Sequence, residues 1–314
     1  MSWNEPTANP LIRLTTCLAL PALNWRFVPP EHPGGLPRCV MKLKAALATR
    51  LPARELALIT GAYDLVGDVA ILHIDKALAH REDLIARTLL DLRPNLRVVA
   101  RRCGQHVGEY RIPPLKIIAG EQRTTTLHRE SGIRLSLDLQ QVYFSPRSAA
   151  ERRRIAALVE PGEKILVPFS GIAPLPLILA RHSPAAAITG VEKNPHAHAY
   201  ARQNLVVNNL AGKITLEQGC VTEVLPQLEP SFHRALLPLP TAPIPFVPLV
   251  LRMLGASGWL HVYLFATTGE IGRIKEQLCR EVSKNNRTVE QVNSHRCGHI
   301  ASRVYRFCVD MRIT

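Results

Sequence analysis

Between residues 164 and 208 the hydrophobic period of the chain switches back and forth, and few folds accommodate such a pattern. Lys164-Ile165-Leu166-Val167-Pro168 is a strand-length apolar run that ends in the small-residue loop Phe169-Ser170-Gly171-Ile172-Ala173. Residues 174–180 then read as a helix, 187–191 as a second strand and 197–208 as a second helix. Apolar runs of four to eight residues suit buried strands, whereas longer stretches with a 3.6-residue period suit helices. Strands that alternate with helices return in the same direction, so this order predicts a parallel sheet. Further strand candidates lie at residues 214–217, 234–237, 258–265 and 303–309, with helices at 245–254 and 269–282. The expectation is an α/β domain over residues 146–314, entered through a helix at 148–159 that groups Ile155, Leu158 and Val159 on one side.

Upstream the text differs. After a turn, residues 62–74 are β-branched and apolar, and residues 81–92 read as an amphipathic helix, so a strand followed by a helix is expected. Short strands are expected at 97–100, 115–119, 125–128 and 133–137, which together make a small α+β domain over residues 55–145. Residues 1–54 carry Pro6, Pro10, Pro21, Pro29, Pro30, Pro33 and Pro37 with Gly34 and Gly35. Such residues interrupt regular structure, so this stretch is expected to be an irregular leader with one helix over 38–51.

Charge and composition bound the function. The chain has 39 Lys plus Arg against 25 Asp plus Glu, a net charge of +14, and the surplus flanks a nearly neutral stretch over residues 151–250. A basic excess suits a polyanionic partner, because neutralising phosphates releases counterions, but it also keeps proteins soluble. Seven scattered cysteines with no Cys-x-x-Cys pair argue against a zinc or redox motif and for reduced thiols that pack. No metal is expected. The longest apolar stretch, residues 166–180, is broken by Pro168, Pro174 and Pro176 and falls short of the ~20 residues a membrane span needs. The N-terminus lacks the basic flank and apolar run of a secretory signal, so a cytoplasmic location is the expectation.

Two features fit a nucleotide-like ligand at the carboxyl ends of parallel strands. Phe169-Ser170-Gly171-Ile172-Ala173-Pro174 turns a strand into a helix through small residues, which lets backbone approach a ligand. About twenty residues later Glu192 ends the next strand in Gly190-Val191-Glu192-Lys193-Asn194-Pro195, where a carboxylate can accept both hydroxyls of a ribose. A structural turn and a solvated Glu are also compatible with these residues, and the loop is not the Gly-x-Gly-x-x-Gly of dinucleotide-dependent oxidoreductases.

A longer set of motifs decides between these readings. Tyr143-Phe144-Ser145-Pro146-Arg147, then Glu151-Arg152, Pro161-Gly162-Glu163-Lys164 and the 169–174 loop resemble the tRNA (guanine-37-N1) methyltransferase family and its wybutosine-forming relatives. Upstream, Tyr63-Asp64-Leu65-Val66-Gly67-Asp68-Val69-Ala70, Ile118-Ala119-Gly120-Glu121 and Thr126-Leu127-His128-Arg129-Glu130-Ser131-Gly132 follow the same order. So do Asn194-Pro195-His196-Ala197, Asn204, Asn208, Pro238-Leu239-Pro240 and Leu260-His261-Val262-Tyr263 downstream. The resemblance spans about residues 60–310. It implies a class I methyltransferase fold, Rossmann-like with a mostly parallel twisted sheet, that uses S-adenosyl-L-methionine and is preceded by a small domain that helps hold tRNA. It implies further that Glu151 is the general base and that Arg147 and Arg111 contact the target guanine or its phosphates. Tyr143, Phe169, Ser170, Gly171, Ile172, Glu192, Lys193, Asn194, Gly219, Cys220 and Pro238 would form the cofactor site.

Some positions depart from the family pattern. Val167 stands where the first strand usually ends in an acid, Ala173 where the loop has a second glycine, and Gly219-Cys220 where the third loop has Gly-Asp. His233-Arg234 replaces Asp-Arg, and Pro238 replaces the Asn of Asn-Leu-Pro. Proline offers neither an N–H nor a polar side chain, so it cannot reproduce an amide's contacts. Three functions therefore stay open on sequence: methyl transfer to guanine N1, transfer of an aminocarboxypropyl group in wybutosine-type synthesis, and tRNA binding without catalysis.

Overall fold

The computed structural model describes residues 42–104 and 108–314, so most of the expected leader and residues 38–41 of its helix lie outside the described residues. Residues 43–51 pack into the small domain rather than standing apart from it. Helix α1 (Leu43–Leu47) buries Leu43 and Leu47, and these join Leu51, Ile59, Leu72, Leu78, Ile85, Leu89 and Val99 in one apolar cluster. After α2 (Ala53–Ala57), preceded by the extended Pro52, come β1 (Tyr63–Val66) and β2 (Val69–Leu72). The stretch expected as a single strand is thus an antiparallel hairpin that reverses at Gly67-Asp68. Gly67 has φ +58°, and a Cβ there would collide with the Thr126 hydroxyl, so both the turn and its docking require glycine.

Helix α3 (Glu82–Leu92) buries Ile85, Ala86 and Leu89 and leads into β3 (Val98–Arg102) and β4 (Leu115–Gly120). These strands complete a four-stranded sheet in the order β1-β2-β3-β4, in which β2 and β3 are parallel. A separate hairpin, β5 (Thr125–Glu130) and β6 (Ile133–Asp138), comes next. It is tied to the small sheet by the Gly67 N–H donating to His128 Nδ1 at 3.1 Å and the Asp68 N–H donating to Thr126 Oγ1 at 3.2 Å.

The larger domain begins with α4 (Ala149–Ala157) and continues as β7 (Lys164–Pro168), α5 (Pro174–His182), β8 (Ala187–Glu192), α6 (Pro195–Asn208) and β9 (Ile214–Gln218). Then come α7 (Val221–Val224), β10 (Phe232–Leu237), α8 (Val247–Leu251), β11 (Leu254–Ala266) and α9 (Ile271–Lys284), and finally β12 (Val289–Ala301) and β13 (Val304–Ile313). The seven strands form one sheet in the order β12-β13-β11-β10-β7-β8-β9. β11, β10, β7, β8 and β9 are mutually parallel, and β13 runs antiparallel between β11 and β12. This is the expected α/β fold with a mostly parallel sheet. β7 carries four buried residues in a row, the pattern of a strand covered on both faces.

Two asparagines of α6 fix the β5–β6 hairpin to the large domain. Asn204 accepts from the Ser136 N–H at 2.7 Å and donates to the Ser136 carbonyl at 3.2 Å. One turn on, Asn208 does the same with Arg134, at 2.8 and 2.6 Å. The buried Arg152 guanidinium also pairs bidentately with Glu130, joining α4 to β5. No helix of the described residues is long and apolar enough to cross a membrane. Cys103, Cys220, Cys279, Cys297 and Cys308 are free thiols.

Candidate active site

Strand β7 has β10 on one side and β8 on the other, and the connections from these strands diverge at their carboxyl ends. Open α/β sheets place a crevice at such a point. Here it is an open cleft whose lining includes Tyr143, Glu151, Phe169, Ser170, Gly171, Pro238, Tyr263 and Arg306.

The loop between β7 and α5 is built from alternating left-handed residues: Phe169 at φ +57°, Gly171 at +58° and Ala173 at +63°. Two of the three carry side chains, which costs on the order of 1 kcal/mol each. Phe169 is braced by an edge-on contact with Phe246, at 5.0 Å between ring centres, and the Ala173 methyl is fully buried. The turn therefore keeps the backbone shape for which a second glycine would be the easier residue. Pro174 stands at the first turn of α5, where its missing N–H is no loss.

Glu192 ends β8 directly behind this loop. Its carboxylate accepts the Gly171 N–H at 2.7 Å and the Asn194 N–H at 2.8 Å, so it joins the loops after β7 and β8. Burial pushes its pKa up from the ordinary value, against the pull of the backbone N–H groups of Asn194, Gly171 and Lys193. Asn194 caps α6 through the His196 N–H and donates to the Gln141 carbonyl, and Gly219 donates its N–H to the Glu192 carbonyl at 3.0 Å. Ile172 is fully buried and offers its carbonyl to Asn204, away from the cleft. Half-buried Cys220 lies 3.0 Å from the Thr222 hydroxyl, and Val167 and Pro238 line the cleft with apolar surface.

Glu151 is buried at the first turn of α4. Arg154 grips it with two bonds, Nε to Oε2 at 2.8 Å and Nη2 to Oε1 at 2.7 Å, and the Tyr263 hydroxyl donates to Oε1 at 2.9 Å. Oε2 carries a single one of these bonds, so lone pairs remain for a proton. Burial, reinforced by the neighbouring Cys308 and Glu151, holds the Tyr263 pKa well above its ordinary value, so this hydroxyl is a fixed donor.

The outer basic residues are held by partners across the domains. Arg147 bonds to Asp64 of β1 at 2.6 Å, and Arg102 stands 3.8 Å from the same carboxylate. Lys193 pairs with Glu109 at 2.5 Å, and Arg111, itself at φ +56°, donates to the Thr241 hydroxyl. Residues 109–111 of the small domain thus reach the loops that leave β8 and β10. Two further residues of the cleft, Tyr263 of β11 and Arg306 of β13, are missing from the site expected on sequence. Tyr263 ends the Leu260-His261-Val262-Tyr263 motif, which could have pointed to it, whereas Arg306 carries no local signal.

S-adenosylmethionine carries a ribose, an adenine amino group and a charged methionine part. Glu192 at a strand end suits the ribose hydroxyls, and the left-handed loop opens backbone toward the methionine part. The Ser170 hydroxyl is buried in the cleft wall without a hydrogen-bond partner among the described residues, as a group awaiting a ligand would be. Cys220 is a weak acceptor for an adenine amino group and, like Glu192, Lys193 and Gly219, stands outside the cleft lining at the neighbouring strand end, whereas Ser170 and Gly171 line it.

Two family models match the chain: the TRM5/TYW2 methyltransferase domain over residues 126–291 and the TYW2 N-terminal domain over residues 43–124. The chain is 30% identical over 253 residues to the tRNA (guanine(37)-N(1))-methyltransferase Trm5b of Pyrococcus abyssi, which covers 80% of this chain and 74% of that protein. It is 26% identical to the tRNA (guanine(37)-N(1))/4-demethylwyosine(37)-methyltransferase Taw22 of Nanoarchaeum equitans, over 79% of this chain and 98% of that one. Its structure resembles that of aTrm5 in complex with tRNALeu, with a TM-score of 0.75 and 26% identity over 87% of this chain and 78% of the other.

Proposed function

We propose, from the premise that this chain belongs to the TRM5/TYW2 methyltransferase family, that it moves a methyl group from S-adenosylmethionine to N1 of guanine 37 in tRNA. The observation that carries this reading is the buried Glu151 carboxylate in the wall of the cleft, with Glu192 tied to the cleft's Gly171 through the Gly171 N–H. When bound, S-adenosylmethionine supplies an electrophilic methyl on a sulfonium. Guanine N1 carries a proton and is a poor nucleophile until that proton leaves. Glu151 takes it, and Arg154 and Tyr263 hold the carboxylate in place for the transfer. Arg111 and Arg147 release Thr241 and Asp64 to meet O6 or the phosphates, where a cation steadies developing charge.

Tyr143, Phe169, Ser170, Gly171, Glu192, Lys193, Gly219, Cys220 and Pro238 enclose the cofactor in this reading, while Ile172 and Asn194 shape the loops that do so. The small domain holds tRNA, and the protein works in the cytoplasm without a metal. A second reading, aminocarboxypropyl transfer, is favoured by the TYW2-type match of the small domain. Incubation of unmodified tRNA with the protein and S-adenosylmethionine, then mass spectrometry, separates the readings. A gain of about 14 Da at guanine 37 supports methyl transfer, and about 101 Da supports the second reading. With Glu151→Gln the gain disappears while tRNA binding stays. No gain from the unaltered protein would leave a silent tRNA binder.

A further inference from the structure

Behind Glu151 runs a buried polar chain that the transfer as described does not use. The guanidinium of Arg154, on α4, forks a second time onto Asp310 of β13, Nη1 to Oδ2 at 2.7 Å and Nη2 to Oδ1 at 3.2 Å. Asp310 Oδ1 also faces Nδ1 of His261 on β11 at 2.6 Å and accepts from Cys308 Sγ at 3.1 Å. On its far side His261 Nε2 lies 2.6 Å from Nη1 of Arg234, a fully buried residue of β10 that pairs bidentately with Glu163 at 2.6 and 2.8 Å.

The chemistry of this chain fixes its protons. A guanidinium only donates, so His261 Nε2 must accept from Arg234, and the ring proton sits on Nδ1 and points at Asp310. His261 is therefore neutral. Burial draws its pKa below the ordinary value, opposed by Asp310 and assisted by Arg234 and Arg154. Asp310 is ionised: burial pushes its pKa up, but the bonds from His261, Arg154 and Cys308 outweigh it and hold the carboxyl far below its usual range. His261, Cys308 and Asp310 bring donor atoms within 4.8 Å of one another, but two guanidiniums border the set and a cation would be repelled.

Glu163, Asp310 and Glu151 are negative, Arg234 and Arg154 positive, and His261 neutral, which leaves one excess negative charge. A proton arriving at Glu151 removes it. If Arg154 served Glu151 alone, the guanidinium would cancel that carboxylate and make it a weak base. We propose that Asp310, fixed by His261, is a positioning residue for the transfer, which by taking half of Arg154 keeps Glu151 able to accept the guanine proton. The other groups facing Glu151 are the Tyr263 hydroxyl and the thiols of Cys297 and Cys308, with Arg306 beside them.

This inference rests on Glu151 as the base, and its test separates the two. Single-turnover methyl transfer to tRNA is followed against pH for the unaltered protein, for Asp310→Asn and for Glu151→Gln. Removing the Asp310 charge leaves Glu151 alone with Arg154, whose whole charge then favours the unprotonated carboxylate. The acid limb for Asp310→Asn should therefore move about one pH unit lower, the plateau fall roughly tenfold, and KM for both substrates hold within about twofold. A lower plateau with an unmoved limb, or an unchanged profile, overturns the inference while leaving the function intact. Transfer that survives in Glu151→Gln overturns the base assignment itself. Nitrogen-15 NMR of the histidines in the unaltered protein guards against a variant that does not fold: one ring should stay neutral and Nδ1-protonated between pH 6 and 8. Titration of His261, or a proton on Nε2, also overturns the inference.

Discussion

Asn204 and Asn208 of α6 both commit their side chains to the backbone of β6. Asn204→Ala would strand a buried N–H and carbonyl, each costing about 1–3 kcal/mol, so urea unfolding should show a loss of about 2–4 kcal/mol with cofactor binding nearly unchanged. A loss below about 1 kcal/mol would contradict the clamp. Glu151 and Glu192 are legible in the sequence, the first only through its motif and the second from its place at a strand end. The grouping of Asp310, His261 and Arg154 is not, because three separate elements bring them together and no local spacing records it.

At the scale of elements, the parallel core is legible because β7 and β8 and their helices each carry one clear period. β12 leaves no such trace. It is an edge strand whose Glu290, Gln291, Asn293, Ser294, His295 and Arg296 lack apolar alternation, and it is held by backbone pairing with β13 and by Val289 and Val292 against the core. The β1–β2 hairpin reads as one strand because its turn is only Gly67-Asp68. That hairpin carries Asp64, which occupies Arg147 and stands near Arg102. Asp64→Ala should free both cations for phosphate. In filter binding at low salt the Kd for tRNA should tighten about two- to fivefold, with the gain vanishing at high salt. Weaker binding would mean that the ion pair organises the RNA surface instead of masking it.

For the molecule as a whole, the small domain, the β5–β6 hairpin and the large sheet share one continuous core, in which Val66, Val98 and Leu115 meet Leu135, Ile155 and Ile172. Stability should therefore respond to the ionic pairs that cross it. Arginine and histidine partners hold the carboxyls of Asp310, Glu130 and Asp68 below their ordinary pKa values, against the upward push of burial. Groups depressed in the folded state contribute stability above their unfolded values and lose it as pH falls through the folded ones. Melting temperature should thus be flat from pH 7 to about 5 and drop below about 4, and Asp310→Asn should drop less steeply. A cleft with Val167 and Pro238 in its walls should still hold S-adenosylmethionine, with Glu192 at the neighbouring strand end. Calorimetric titration of the purified protein and of Glu192→Ala tests it most directly. Micromolar binding that is lost in the variant is the expected result, and no heat of binding to the unaltered protein would contradict the account.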